Sequence, residues 1–151
     1  MRKVCVIGAG TMGAGIAAQV ANSGTPVLLL DIVRDPDNRN GVAADAVAKM
    51  LKTDPAPFMG KHAARLVEVG NIEDDLGKVA DCDWVVEAIV ERLDIKQSLY
   101  EKLEEVRKPG TAVSSNTSTI PLEQLTAGRS DAFKRDFLIT HFFNPPRYMR
   151  L

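Results

Sequence analysis

Four groups of residues in this sequence have types and spacings suited to chemistry. Gly8-Ala9-Gly10-Thr11-Met12-Gly13 directly follows the apolar run Val4–Ile7, and eighteen residues past Gly13 a second apolar run ends in Asp31. Glu87 and Glu91 follow a third such run, with Lys96 shortly after. Asn116, Thr117, Ser118 and Thr119 stand together after a fourth. His141 and Asn144 follow a fifth, and His141 is one of only two histidines. Strand, glycine turn, small-residue helix and acidic residue in that order form a dinucleotide-binding fingerprint. Gly8 permits a tight turn, Gly10 lets the backbone approach a pyrophosphate, and Gly13 lets the helix lie close. Free N–H groups and the positive end of the helix dipole then face the phosphates. The plainer alternative is a glycine-rich turn between any strand and helix.

Asp31 can accept hydrogen bonds from both hydroxyls of the adenosine ribose. Its charge would repel a 2′-phosphate, so NAD is expected rather than NADP. Arg34 is a rival phosphate binder that nothing frees from the Asp31 charge. A turn or capping role for Asp31 is the alternative. A neutral imidazole at His141 can take the proton of an alcohol while a hydride leaves the same carbon. Its alternative is a hydrogen-bonded structural histidine. The Asn116–Thr119 cluster suits either a turn leading to Pro121 or donors and acceptors beside a nicotinamide or substrate oxygen. By themselves Glu91 and Lys96 read as a first-turn acid and an ordinary exposed lysine. Glu101–Arg107 reads as a solvated helix face, and His62 as a surface residue.

The elements that must position these groups alternate between strand and helix, which predicts an α/β fold with a doubly wound parallel sheet. The expected strands are Lys3–Ile7, Val27–Leu30, Leu66–Val69, Trp84–Ala88, Ala112–Ser115 and Phe137–Thr140. Helices are expected at Thr11–Ser23, closed by Gly24, and at Val42–Leu51, with a turn at Lys61–Ala64 and a short helix within Asn71–Val79. Leu93–Val106 places Ile95, Leu99, Leu103 and Val106 on one helical face. Pro121–Leu125 begins with a proline where one is favoured. Ligands of such sheets bind beyond the carboxyl ends of the strands. Five strand ends here carry polar or phosphate-binding groups, all on one edge.

Composition narrows the function classes. With 45% apolar and 26% charged residues the chain has the profile of a soluble globular protein. A net charge of −1 argues against nucleic acid or an anionic membrane as partner. No run is long enough to span a membrane, and the N-terminal apolar run is too short for a signal peptide. Cys5 and Cys82 form no disulfide framework and are expected as small buried hydrophobes in a cytoplasmic protein. No metal site is expected.

The sequence resembles the NAD-binding domain of the 3-hydroxyacyl-CoA dehydrogenases over nearly its whole length. The motifs that carry the likeness are Val6-Ile-Gly-Ala-Gly-Thr-Met-Gly13, Val85-Val-Glu-Ala-Ile-Val-Glu91, Ser115-Asn-Thr-Ser-Thr119 and His141-Phe-Phe-Asn-Pro145. Leu28–Ile32 and Thr140–Arg147 look more like the bacterial multidomain form. The resemblance implies a Rossmann-type, mainly parallel sheet with helices on both faces, a cofactor, NAD, and a 3-hydroxyacyl-CoA substrate. It implies that His141 is the general base and that Ser118 and Asn144 hydrogen-bond the substrate oxygen, the histidine or the nicotinamide region. Glu91 and Lys96 would contact the nicotinamide-side ribose, with Ala88 and Asn116 in the same cofactor set. Gly8, Gly10, Thr11, Met12, Gly13 and Asp31 would hold the phosphates and the adenosine ribose. Val42–Lys52 would face the CoA moiety, with Lys49 or Lys52 meeting phosphate.

The resemblance also implies a glutamate partner for the histidine about two residues past Leu151, and a helical C-terminal domain that usually dimerises. On that reading residues 1–151 are the NAD-binding domain of a longer fatty-acid β-oxidation enzyme, able to bind NAD alone but slow in turnover. Tyr148–Leu151 is expected as an incomplete strand, and association into a homodimer is expected through faces left open. The alternatives are a non-catalytic NAD-binding module and a β-hydroxyacid dehydrogenase of a small acid, in which a lysine is expected where His141 stands.

Overall fold

The computed structural model describes residues 1–149. Six strands form one sheet: β1 Val4–Ile7, β2 Val27–Asp31, β3 Val67–Asn71, β4 Trp84–Glu87, β5 Ala112–Ser115 and β6 Phe137–Ile139. Every pairing is parallel, in the order β3-β2-β1-β4-β5-β6. The helices are α1 Thr11–Asn22, α2 Gly41–Met50, α3 Lys61–Ala64, α4 Ile72–Asp75, α5 Leu93–Val106, α6 Leu122–Leu125 and α7 Asp131–Arg135. A 3₁₀ segment, Leu76–Asp81, follows α4.

β1 and the first four residues of β2 are apolar and buried because both faces of the sheet are covered there. Val4, Val6, Val27 and Leu29 pack towards α1, α2 and α3, while Cys5, Ile7, Leu28 and Leu30 pack towards α5, α6 and α7. Both cysteines are free and buried, as expected. The strand order reverses direction at β1 and β4, so a crevice opens beyond their carboxyl ends, where such sheets bind ligands. Among the described residues no helix is long and apolar enough to cross a membrane.

Several expectations are corrected. In α5 the buried face is Lys96, Leu99, Tyr100 and Leu103, whereas Ile95 is 37% exposed. The cause is Glu87, which sits buried at the end of β4 and draws Lys96 and Tyr100 inward. The Glu101–Arg107 face is not merely solvated. Glu104 pairs with Arg129, and Arg107 pairs with Asp136 and lies over the Phe133 ring. The third strand runs two residues further than expected and ends in the buried Asn71. Asn71 accepts from Asp74 N and caps α4. No sequence pattern marks helix α7, which Ser130 Oγ caps by accepting from Phe133 N. Tyr148 is in a turn, its N–H donating to Pro145 O, so no strand begins there. The remainder of that expected strand, Arg150 and Leu151, lies outside the described residues.

Candidate active site

At the end of β1 the chain turns sharply through Gly8, whose φ is +106°. A Cβ at Gly8 would run into the Ala88 carbonyl, and one at Gly13 into the Gly8 carbonyl. Gly10 differs: a Cβ there would meet nothing within 4 Å. The turn and the helix approach therefore need Gly8 and Gly13 sterically, while Gly10 keeps space open at the start of α1. Gly10 supplies no side-chain cap, and the first turn of α1 carries no acid. The first amides of α1, on Thr11, Met12 and Gly13, therefore lack a side-chain acceptor of the kind helix starts normally recruit. This is the arrangement an anion completes, so the residues present fit a pyrophosphate.

Asp31 ends β2 on the same edge. Its Oδ2 accepts from Ala9 N at 2.5 Å and its Oδ1 from Ile32 N at 2.6 Å. The carboxylate thus ties the glycine turn to the neighbouring strand, and the turn role and the ligand role are not exclusive. It borders a cleft of about 650 Å³ with Gly8, Gly10, Ile32, Ala88 and Ile89. Across the glycine turn a second cleft of about 570 Å³ is bordered by Gly10, Thr11, Lys49, Asn144 and Tyr148. Its far wall is held by Arg147 Nη1 donating to Ala56 O at 2.6 Å and Tyr148 Oη donating to Ala56 O at 3.2 Å.

Beyond β4, β5 and β6 the polar groups converge. Ser118 Oγ lies 3.0 Å from His141 Nε2, and the imidazole meets the edge of Phe143. Asn116 N donates to Glu87 O at 2.8 Å, and Asn116 Oδ1 accepts from Phe142 N at 2.8 Å, binding the two loops together. A hollow of about 420 Å³ opens beside Ser118 and His141. Glu91 accepts through Oε1 from Ser118 N at 3.2 Å and from the Thr117 hydroxyl. Partial burial pushes the Glu91 carboxyl up, but the Thr117 hydrogen bond, the Lys96 charge and the loop amides outweigh this and hold it below the ordinary range.

The structure thus brings the glycine turn, Asp31, Ala88, Glu91, Asn116, Ser118, His141 and Asn144 to one edge. Lys96 is not the exposed lysine that its sequence context suggests. Its side chain is 1% exposed, with Nζ 2.5 Å from Glu87 and 3.3 Å from Glu91. His62 is exposed, as expected. Glu87, Tyr100 and Ser115 form a buried cluster that the sequence analysis does not predict. Their signal is a carboxylate ending a buried strand, with Lys96 and Tyr100 one helical turn apart to receive it. Burial and the Glu87 charge push the Tyr100 phenol far up, so it stays a donor. Among the described residues no cluster could hold a metal ion.

A doubly wound parallel sheet whose glycine turn opens onto bare helix amides, beside an acid ending the next strand, defines a dinucleotide-binding α/β domain. Residues 3–151 match the family described as 3-hydroxyacyl-CoA dehydrogenase, NAD binding domain, and the chain belongs to it. NAD is therefore the dinucleotide. The chain is 56% identical over its full length to a probable 3-hydroxyacyl-CoA dehydrogenase of Deinococcus radiodurans, of which it covers 44%. It is 47% identical, again over its full length, to a putative fatty acid oxidation complex trifunctional enzyme of Rickettsia felis, of which it covers 21%. Among solved structures, 3-hydroxybutyryl-CoA dehydrogenase from Escherichia coli superposes with a TM-score of 0.79 at 31% identity, over 98% of this chain and 31% of that one. The chain thus spans less than half the length of these proteins.

Proposed function

We propose that residues 1–151 form the NAD-binding domain, carrying the general base, of a longer enzyme that oxidises (3S)-3-hydroxyacyl-CoA to 3-ketoacyl-CoA in fatty-acid β-oxidation. The observation that carries this reading is the Ser118–His141 pair, 3.0 Å apart on the edge that also holds the glycine turn. NAD, when bound, accepts the hydride from substrate C3. His141 takes the proton of the 3-hydroxyl, and Ser118 Oγ orients the imidazole and the substrate oxygen. Asn144, on the wall shared with Gly10 and Thr11, adds a hydrogen bond between the base and the nicotinamide end. Gly8, Gly10, Thr11, Met12 and Gly13 hold the pyrophosphate and Asp31 the adenosine ribose. Ala88, Glu91, Lys96 and Asn116 shape the nicotinamide end.

The names of the relatives support an acyl-CoA substrate. Lys49 borders the second cleft and suits a CoA phosphate. The lengths of the relatives support a further domain. The helical domain that the resemblance implies would cover Leu138, Ile139 and Phe143, which are exposed at and beyond the edge strand β6. In residues 1–151 alone, homodimerisation would bury that region in the helical domain's place, and light scattering across concentration tests it. Two free, buried thiols suit a reducing cytoplasm.

The test is His141→Ala in the enzyme that carries this domain. Turnover is expected to fall about 10²- to 10⁴-fold, with NAD affinity by calorimetry unchanged. Unchanged turnover would instead favour a non-catalytic NAD-binding module.

A further inference from the structure

The Glu87 carboxylate is fully buried at the end of β4 and is held by four donors. Oε1 accepts from Lys96 Nζ at 2.5 Å and Ile89 N at 2.9 Å. Oε2 accepts from Tyr100 Oη at 2.5 Å and Ser115 Oγ at 2.7 Å. Burying such a pair contributes little to stability, and well-packed apolar residues of the same volume often serve the fold as well. What the carboxylate does contribute is geometry, because two branches leave it and both end on one loop. In the first, Lys96 is pinned against Glu87 and turned to Glu91 Oε2 at 3.3 Å. The other oxygen of Glu91 then holds the Thr117 hydroxyl and Ser118 N. In the second, Ser115 Oγ donates to Glu87 and accepts from Thr117 N at 3.2 Å.

We propose that Glu87 is a positioning residue for the Ser118–His141 pair, acting through Lys96–Glu91 on one side and Ser115–Thr117 on the other. This rests on the proposed role of that pair. Glu87 itself touches neither ring nor cleft. It fixes the rotamer of Lys96, hence that of Glu91, and thereby the backbone from which the Ser118 hydroxyl reaches Nε2. Without the Glu87 charge, Glu91 is the remaining counter-ion of a buried ammonium. Lys96 then draws the Glu91 carboxylate away from the Ser118 amide, and the hydroxyl loses its register with the imidazole.

The chain has two histidines, and the exposed His62 provides an internal reference, so the ring nitrogens of His141 can be followed by ¹⁵N NMR in the chain as it stands. Ser118→Ala defines the signature of the lost contact. Glu87→Gln, which keeps the shape and removes the charge, is expected to move the His141 ring signals in the same direction by about half that amount or more. The double variant is expected to go no further than Ser118→Ala alone. If Ser118→Ala moves the ring and Glu87→Gln lowers the melting temperature but leaves the ring where it was, Glu87 is merely structural and the inference fails. If Ser118→Ala leaves the ring unmoved, the pair itself fails, and the proposed mechanism with it. Should the Gln variant not fold, Glu91→Gln, at the 40%-exposed end of the chain of contacts, carries the same measurement with the same outcomes.

Discussion

Ser118 Oγ and His141 Nε2 meet at 3.0 Å although 23 residues separate them, because β5 and β6 are parallel neighbours that end side by side. A hydroxyl in that position fixes the plane of the imidazole. Ser118→Ala is therefore expected to lower kcat about 10- to 100-fold, less than loss of the histidine, since the proposed base remains but is no longer aimed. The fall in kcat is expected to exceed any fall in NAD affinity. Steady-state kinetics with calorimetry of the same variant checks this, and equal losses in both would move Ser118 from the base to the cofactor.

The glycines separate fold from function. Gly10→Ser adds a side chain where nothing lies within 4 Å, and a serine there would cap α1. Thermal stability is expected to hold or rise slightly, while the hydroxyl takes the amides proposed to bind phosphate and NAD affinity drops more than about tenfold. Gly13→Ala acts on the fold first. Its Cβ would collide with the Gly8 carbonyl, costing about 1–3 kcal/mol and about 2–10 °C in Tm. Scanning calorimetry and NAD titration of both variants give the two patterns. A destabilised Gly10→Ser with normal affinity would refute the assignment.

Most of the fold was legible because its signals are local. Continuous apolar strands, the Gly8–Gly13 turn and the Gly24 stop each lie within a few residues, and Gly24 does take a positive φ of 82°. Convergence of the site followed from one rule about parallel sheets rather than from any single residue. What escaped depends on partners distant in sequence. The apolar stripe Ile95–Leu99–Leu103 mis-turned α5, because the buried Glu87 nine residues before Lys96 outweighs one isoleucine. Asp31 as acceptor for Ala9 N is a contact across 22 residues that no spacing announces. Helix α7 is five residues long, too short for a periodic pattern, and its cap lacks the acidic partner that would mark it.

On the proposed reading, Asp31 carries the choice of dinucleotide. Both its oxygens face donors of the glycine turn and strand end, so the charge is fixed at the mouth of the cleft rather than free to swing away. Asp31→Asn removes the charge with little change of shape. The preference for NAD over NADP, read as the ratio of calorimetric affinities, is expected to fall about 10- to 100-fold. An unchanged ratio would assign the selectivity to another residue, with Arg34 the first to test.

Stability against acid should depend on Arg107–Asp136, an ion pair at 2.8 Å whose side chains are 5% and 13% exposed. Arg107 also donates to Thr111 O and lies over Phe133, so its position is determined from three sides. The Arg107 hydrogen bond holds the Asp136 carboxyl below its ordinary value of 3.8. A carboxyl lowered by folding stabilises the native state above its unfolded pKa, and that contribution disappears as pH falls towards the lower, folded value. Asp136→Asn is therefore expected to cost about 1.5–3 kcal/mol at pH 7. The gap in Tm between the two proteins should stay level from about pH 8 to 5 and close below about pH 4. Thermal melts across that range measure it. A gap that persists undiminished below pH 3 would mean that the amide costs stability through packing and not through the lost charge.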